Sequence, residues 1–423
     1  MKITSHTTPK NLTDSLSKTS KLISRFINLN EGEANLSTVR LGQEVATNWL
    51  PKMFFARSLA DATEVTGMEF TENILVYFGP KILGENVFRK LYSKNLDKGL
   101  RELVATPAAE LLKQKEVNNK KLMPIKAAIA ISALAIPLTE YSLSYLKNLF
   151  TLKLFKQADF NNIANLNKNK KEDPEKQKEV KESAKKHIKL AAGLFAGCLA
   201  LSALLVTRGK NSKILNSLSE AILAPGSKLF KNNEKKAATI NKYFGLDFAS
   251  KNGKLAMSNG QLTACVVVGG FGYFGAAKDR GKQNFKEVLY RFPLVGFYAI
   301  TGSALLEKGY NAILKKTGKC KEIFEYETLN KKMPKLFELP ELAQKLADKN
   351  KTTVEAEYKK LFKQKSTLVM APFLFGIGFM GVFVAGVSRF FTQYRYNKEL
   401  ATQKNNPFQN NVQRFEMSSF GQK

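Results

Sequence analysis

Long apolar segments alternate along this chain with long, polar, Lys-rich ones. Five apolar segments stand out, at residues 125–146, 190–206, 262–277, 292–306 and 367–391. An α-helix needs roughly 20 apolar residues to cross the hydrocarbon core of a bilayer, and the first and last segments reach that length. The pattern predicts an all-α protein, a multi-pass transmembrane helical bundle of about five spans with amphipathic interfacial helices. The three shorter segments could instead be re-entrant or buried in protein.

The remaining regions differ from one another in composition. Residues 1–40 are rich in Ser, Thr, Asn and Lys and predict a flexible tail, and residues 41–123 have apolar positions three and four apart, which predicts amphipathic helices. Residues 124–306 hold four of the spans, joined by basic linkers. Charged amphipathic helices are predicted over 307–366, and a polar tail over 392–423, after the final span.

A sixth membrane segment is an open alternative at residues 68–83. This stretch is apolar, but it carries Glu69, Glu72 and Asn73. Charged side chains are costly inside a bilayer, so a soluble or interfacial helix is the favoured interpretation.

Residues 262–306 predict a membrane hairpin, because two Gly-rich apolar arms flank a short basic connection at 278–291. The connection carries five basic residues, which places it in the cytoplasm by the positive-inside rule. Every other connection is also basic, so the orientation depends on this loop alone. Pro293 and Pro372 lie near the start of their apolar segments and are predicted to begin helices.

Small residues recur at helical spacing in three of the five segments and predict close helix packing. The residues concerned are Gly193 and Gly197, then Gly269, Gly272 and Ala276, then Gly378, Gly381 and Ala385. The last two groups share the spacing i, i+3, i+7. Such faces could also join two copies of the chain as a homo-oligomer.

One glycine cluster permits a different interpretation. Residues Gly270 to Gly275 match GxGxxG and follow the strand-like residues ACVVV. A dinucleotide-binding turn needs this order, but it also needs an acidic residue about 20 positions later and surrounding βαβ units, and neither is present. Helix packing is therefore favoured over nucleotide binding.

Glu140 is the single ionisable residue well inside a predicted span. Intramembrane carboxylates often mark ion or substrate pathways. Because Glu140 is near the C-terminal end of segment 125–146, we expect it at headgroup depth, with a functional intramembrane carboxylate as the alternative.

The formal net charge is +31, and Lys greatly outnumbers Arg. Such an excess favours anionic lipid headgroups. The aromatic and basic residues of RFFTQYRYNK follow the last span, where interfacial anchors are expected, so nucleic acid is not an expected partner. The predicted location is the inner (cytoplasmic) membrane of a cell.

No catalytic, cofactor-binding or metal-binding residue is predicted. Three scattered cysteines and two histidines form no zinc motif, and P-loop, GxSxG, HExxH and EF-hand patterns are absent from the sequence. The favoured function is a structural or binding (scaffold) role at an anionic membrane. The alternatives are a transporter or channel-like protein using the Gly-rich bundle, and a nucleotide- or lipid-dependent membrane enzyme.

Overall fold

The computed structural model describes residues 17–32, 42, 44–94, 96–114, 117–167, 172–249, 255 and 258–404. Within these ranges the protein is all-helical and has no strands, which confirms the predicted all-α class. Of the two predicted tails, 1–40 and 392–423, residues 1–16, 33–40 and 405–423 lie outside the described residues.

The α-helices are numbered here in chain order. They are α1 (Lys18–Gly32), α2 (Leu50–Phe54), α3 (Leu59–Gly79), α4 (Lys90–Tyr92), α5 (Lys98–Glu102), α6 (Ala108–Leu111), α7 (Asn119–Ser132), α8 (Ala135–Phe155), α9 (Phe160–Ile163), α10 (Pro174–Arg208), α11 (Lys213–Leu223), α12 (Pro225–Leu229), α13 (Glu234–Phe244), α14 (Asn259–Arg280), α15 (Lys282–Phe297), α16 (Ser303–Lys316), α17 (Lys321–Asn330), α18 (Leu339–Asn350), α19 (Val354–Gly376) and α20 (Ala385–Lys404). Wider π-helical turns occur at Val45–Trp49, Pro80–Arg89, Tyr298–Gly302 and Ile377–Val384, and 3₁₀ turns occur at Leu103–Ala105, Gly209–Asn211 and Leu336–Glu338.

Five continuous or nearly continuous helical stretches are long and apolar enough to cross a membrane. They are Asn119–Phe155, Pro174–Asn211, Asn259–Arg280, Lys282–Lys316 and Val354–Thr402. Each contains one of the five apolar segments predicted from sequence. Residues 68–83, the sixth candidate, belong to α3 and the π-helical turn that follows it, and are not among the five.

The chain divides into two compact units. The first contains residues 1–47 and 297–380, and the second contains 48–296 and 381–423. In the first unit, α1 and α16 to α19 enclose an apolar core that includes Ile27, Ile323 and Leu361. Glu31 on α1 contacts two other parts of this unit. Its carboxylate accepts from the Leu336 amide, just before α18, at 2.6 Å and pairs with Lys365 of α19 at 2.5 Å.

In the second unit, the central helices are α7 and α8. Their most apolar part is 83 % buried within the protein, against 17 % for Pro174–Asn211. The two helices are separated at Ala133–Leu134 because Pro137 has no N–H to donate and its ring would clash with the Ala133 carbonyl of a continuous helix. Helix α8 packs chiefly against α14 and α10.

The hairpin at α14 and α15 has almost no loop. Helix α14 ends just before Gly281, and α15 begins just after it. Gly281 has a φ of +121°, which only glycine adopts readily. The arms face each other in antiparallel register: a Cβ on Gly270 would lie 2.6 Å from the Phe292 ring, and one on Gly296 would lie 2.7 Å from Val266. The predicted connection 278–291 is thus helical apart from Gly281, and Arg280 is 1 % exposed.

The prediction for the two prolines is wrong. Pro293 lies inside α15, and Pro372 lies inside α19. Each is followed about one turn later by a π-helical segment, Tyr298–Gly302 and Ile377–Val384. A proline inside a helix leaves the carbonyl four residues earlier without its usual partner, and such helices are often irregular nearby.

One end of the second unit is closed by a small helical cap, defined as residues 212–249. The cap joins the C-terminal end of α10 to the N-terminal end of α14. It is attached to α7 through Asn216, whose Nδ2 donates to the Lys120 carbonyl at 3.0 Å. The buried Lys126 Nζ of α7 donates to the carbonyls of Val104 and Thr106 and lies 2.8 Å from Asp247 Oδ1.

Candidate functional site

Helix α3 presents an acidic face to the interior of the second unit. Asp61, Glu64, Glu69 and Asn73 are all buried, and Glu72 is partly buried. At about 100° per residue, positions 61, 64, 69, 72 and 73 lie within about one half of the helix circumference. The first turn is fixed by Ser58, whose Oγ accepts from the Asp61 amide at 3.0 Å. Buried carboxylates are costly unless they are paired, so the partners of this face define the site.

Glu64 binds the end of the α14–α15 hairpin. Arg280 Nη1 donates to Glu64 Oε2 at 2.8 Å, and Arg280 Nη2 lies 2.7 Å from Oε1. The Thr151 hydroxyl of α8 also donates to Glu64, and Lys147 lies 4.0 Å away. Burial acts to raise the pKa of Glu64, but Arg280 and Lys147 outweigh it and hold that pKa below its usual value.

Asp61 belongs to a second group of charges around Arg57. The Arg57 guanidinium donates to both oxygens of Glu287, at 2.8 and 3.2 Å, and its Nε donates to Asp61 at 3.3 Å. Arg389 of α20 lies 3.8 Å from Asp61 and donates to the Lys52 carbonyl at 2.5 Å. Although burial acts to raise the pKa of Asp61, Arg57 and Arg389 lower it overall.

Glu69 has partners from the chain just before α3. Lys52 Nζ forms a short buried contact with Glu69 Oε1, and Asn48 Nδ2 donates to Oε2 at 2.7 Å. Three carboxylates of α3 are therefore each compensated by a Lys or Arg. A buried, compensated network of this kind fixes helix positions, and breaking one partner is expensive.

The fourth carboxyl group of α3 has a different environment. Glu72 accepts from the Tyr273 hydroxyl at 2.7 Å and interacts with Glu140 of α8. Glu140 also contacts the Cys265 thiol, and its Oε2 has no other hydrogen-bond partner. Among the described residues, no ion pair includes Glu72 or Glu140. We call these two residues the carboxyl pair.

Glu140 lies in the interior and is 5 % exposed. It is near the N-terminal end of α8, directly against α14: a Cβ on Gly269 would lie 2.8 Å from its Cδ. The Tyr273 and Gly269 positions are one turn apart on α14, so both members of the carboxyl pair lie over the same stretch of that helix. A group that is hydrogen-bonded to another carboxyl can hold and release a proton, which a fully compensated ion pair cannot do readily.

The small residues of α14 lie where it crosses α8. A Cβ on Gly272 would be 2.6 Å from the Tyr141 carbonyl oxygen, and the Ala276 carbonyl accepts from Asn148 Nδ2 at 3.0 Å. Gly269, Gly272 and Ala276 therefore lie on one face of α14, and the carboxyl pair lies at the Gly269 end of that face. Gly275 is close to this face as well, because a Cβ there would meet the Tyr145 hydroxyl.

The other predicted packing residues are placed differently. A Cβ on Gly193, Gly197 or Gly378 would have no atom within 4 Å. Gly381 and Ala385 are buried within the second unit. The role of Gly193 and Gly197 in joining copies of the chain stays a prediction.

The glycines of the GxGxxG match do not form a nucleotide-binding turn. Gly270 to Gly275 lie within the continuous helix α14. A dinucleotide site requires a strand followed by a turn and a helix N-terminus. In the parts of the chain that the structure describes, no group of three or more His, Cys, Asp or Glu side chains could hold a metal ion.

The sequence did not reveal the buried charge network. Its signal is present, since Asp61, Glu64, Glu69 and Glu72 follow one another at spacings of three, five and three residues in a largely apolar helix. Comparison with known proteins adds no analogy: no family model, no curated protein and no solved structure matches this chain.

Proposed function

We propose that this chain is a multi-pass integral membrane protein with a structural or binding role at an anionic membrane. The observation that carries this proposal is the exposure of Pro174–Asn211, whose most apolar part is only 17 % buried within the protein. Leu190, Leu194 and Leu204 are all exposed on it. A continuous apolar face of this kind is unusual on a soluble protein and fits contact with lipid.

The cap supports an interfacial position. Ile214, Leu229 and Phe244 project from it at 80, 71 and 60 % exposure. The cap lies between the ends of two candidate spans, α10 and α14, so its exposed apolar side chains would meet the headgroup region. Lysines surround them at positions 210, 213, 228, 231, 235, 236 and 242. Lysine near anionic headgroups contributes about 1 kcal/mol each.

Two measurements test this proposal. Carbonate or high-salt washing of membranes should leave the full chain in the pellet, and its release into the supernatant would refute membrane insertion. After purification in detergent, native mass spectrometry should find anionic lipid retained in preference to zwitterionic lipid.

The cap can be tested with a matched pair of variants. Replacing Lys210, Lys213 and Lys231 by Gln should lower the retained anionic lipid. Replacing the exposed Lys178, Lys181 and Lys185 by Gln removes the same charge from the first half of α10 and should lower it less. Equal losses would show that retention depends on net charge alone.

Location and orientation follow from the same proposal. We place the protein in the inner, cytoplasmic membrane of a cell, with the turn at Gly281 on the cytoplasmic side. Helix α14 would then hold the cap on the opposite side. Labelling of a single cysteine introduced at Lys278 or at Lys231 in intact cells distinguishes the two sides.

A transporter is the second candidate function. The break between α7 and α8 and the buried carboxyl pair favour it, because broken helices and intramembrane carboxyls recur in ion-coupled carriers. The close contact of Gly272 with the Tyr141 carbonyl opposes it, because it leaves no room for a path between α8 and α14. Substrate-independent proton flux into proteoliposomes, abolished in Glu140→Gln, would favour transport over a structural role.

A further inference from the structure

Among the described residues, most buried charges of the second unit have a partner of opposite sign, but no ion pair includes Glu72 of α3 or Glu140 of α8. The two side chains lie over one turn of α14: Tyr273 donates to Glu72 at 2.7 Å, and a Cβ on Gly269 would lie 2.8 Å from Glu140 Cδ. Their carboxyl groups interact, and because a carboxylate has no hydrogen to donate, two carboxyl groups can form a hydrogen bond only when one of them carries a proton. We propose that Glu72 and Glu140 form a single proton-binding site, in which one proton is shared between the two carboxyl groups.

The surroundings favour one proton over none. If both groups were ionised, two negative charges would be adjacent in a protein interior, where like charges strongly disfavour double ionisation. A Cβ on Gly269 would lie 2.8 Å from Glu140 Cδ, so α14 leaves little space for water to solvate a second charge there. Glu140 Oε2 is buried and has no hydrogen-bond partner, as expected for a carboxyl group that is not fully solvated.

The groups that face the carboxyl pair come from helices α14, α3 and α2. Tyr273 and Cys265 of α14 are neutral donors, to Glu72 and to Glu140 respectively. On α3, the Glu69 carboxylate adds negative charge near the pair. Lys52 of α2 also attracts a negative charge on Glu72, but its ammonium group is bound to Glu69. Two neutral donors can stabilise one negative charge, and in the described part of the chain no ion pair compensates a second.

The titration of Glu72 is in keeping with this arrangement. Burial, and after it the Glu69 carboxylate, raise the pKa of Glu72 to about 7. Glu72 is the partly exposed member of the pair, so the proton would leave to solvent from its carboxyl group. The O–H bond then breaks, both groups become carboxylates, and Tyr273 continues to donate to Glu72.

The proposal goes beyond the proposed function, since it concerns the protein interior and does not depend on lipid. Infrared difference spectroscopy of the full chain in detergent tests it, with protons as the only ligand. Between about pH 5 and about pH 9, we expect loss of one protonated-carboxyl band per chain that shifts in heavy water. Glu140→Gln and Glu72→Gln should each remove this band, whereas Glu110→Gln, at an exposed position on α6, should leave it unchanged.

Each outcome decides the proposal. Absence of the band in the unaltered protein near neutral pH would overturn it, and so would a difference of two protons per chain between the titrations of the unaltered protein and Glu72→Gln. A band that persists in both Gln variants would also overturn it, because the proton would then reside elsewhere. If one Gln variant does not fold, the other variant and the wild-type titration give the same decision.

Discussion

The closest approach between two helices, at Gly272, gives the sharpest test of the packing. In Gly272→Ala, the new Cβ would lie 2.6 Å from the Tyr141 carbonyl oxygen and 2.8 Å from the Tyr141 Cα. Both atoms belong to the backbone of α8, so the contact is relieved only if α8 and α14 move apart. Overpacking of this kind costs about 1–3 kcal/mol.

A second glycine provides the matched control. Gly197 also lies within a long helix, but a Cβ there would have no atom within 4 Å. Gly197→Ala should therefore be neutral or stabilise the protein by about 0.5–1 kcal/mol, because alanine loses less backbone entropy in a helix than glycine does. The two variants should differ in unfolding free energy by roughly 1–4 kcal/mol.

Thermal unfolding in detergent, followed by circular dichroism at the helical band, measures the difference. With an unfolding entropy of about 2.1 cal/mol/K per residue, one kcal/mol shifts the midpoint of a 423-residue chain by about 1 °C. Gly272→Ala should therefore unfold about 1–4 °C below Gly197→Ala. Equal midpoints would refute the close packing of α8 against α14, and with it the account of why glycine occupies position 272.

Three further predictions concern charge and association. Folding raises the pKa of Glu72 from 4.5 to about 7, so the folded protein binds this proton more tightly than the unfolded chain does. Stability should therefore fall by at most about 3 kcal/mol as pH rises through this window. Glu72→Gln should flatten this decline in a pH series of unfolding midpoints, and an unchanged slope would contradict the assignment. Lys126→Met should cost about 3–5 kcal/mol by leaving Asp247 buried without its base, and a double variant with Asp247→Asn should recover part of that loss. Gly197→Leu should weaken self-association in sedimentation experiments if this face joins two copies, while unaltered association would exclude the face.

Periodicity was sufficient to predict the class of the fold. Each of the five apolar segments lies in a helix long enough to span a membrane, because a run of apolar residues without charge constrains both length and helicity. The hairpin at 262–306 was also readable, since small residues on both arms and a basic turn indicate two helices in contact. The membrane itself remains part of the proposal.

Pairing between distant charges was not readable. Arg280 looked like a solvated loop residue, but it is buried against Glu64, which is 216 positions earlier in the chain. Local composition cannot show that two oppositely charged residues will meet. The position of Glu140 in an apolar segment predicts headgroup depth, and only the packing of α3 against α8 brings it next to Glu72.

The long separations within the charge network bear on how the chain is assembled. Arg57 can pair with Glu287 only after 230 more residues are made, and the Lys52 carbonyl can bind Arg389 only after 337 more. At ordinary synthesis rates, roughly 10–40 s pass between Glu64 and Arg280. During that interval Glu64 lacks its Arg280 partner, although Lys147 and Thr151 of α8 are made well before Arg280. The final position of the α14–α15 hairpin against α3 is thus set by helices made late in synthesis.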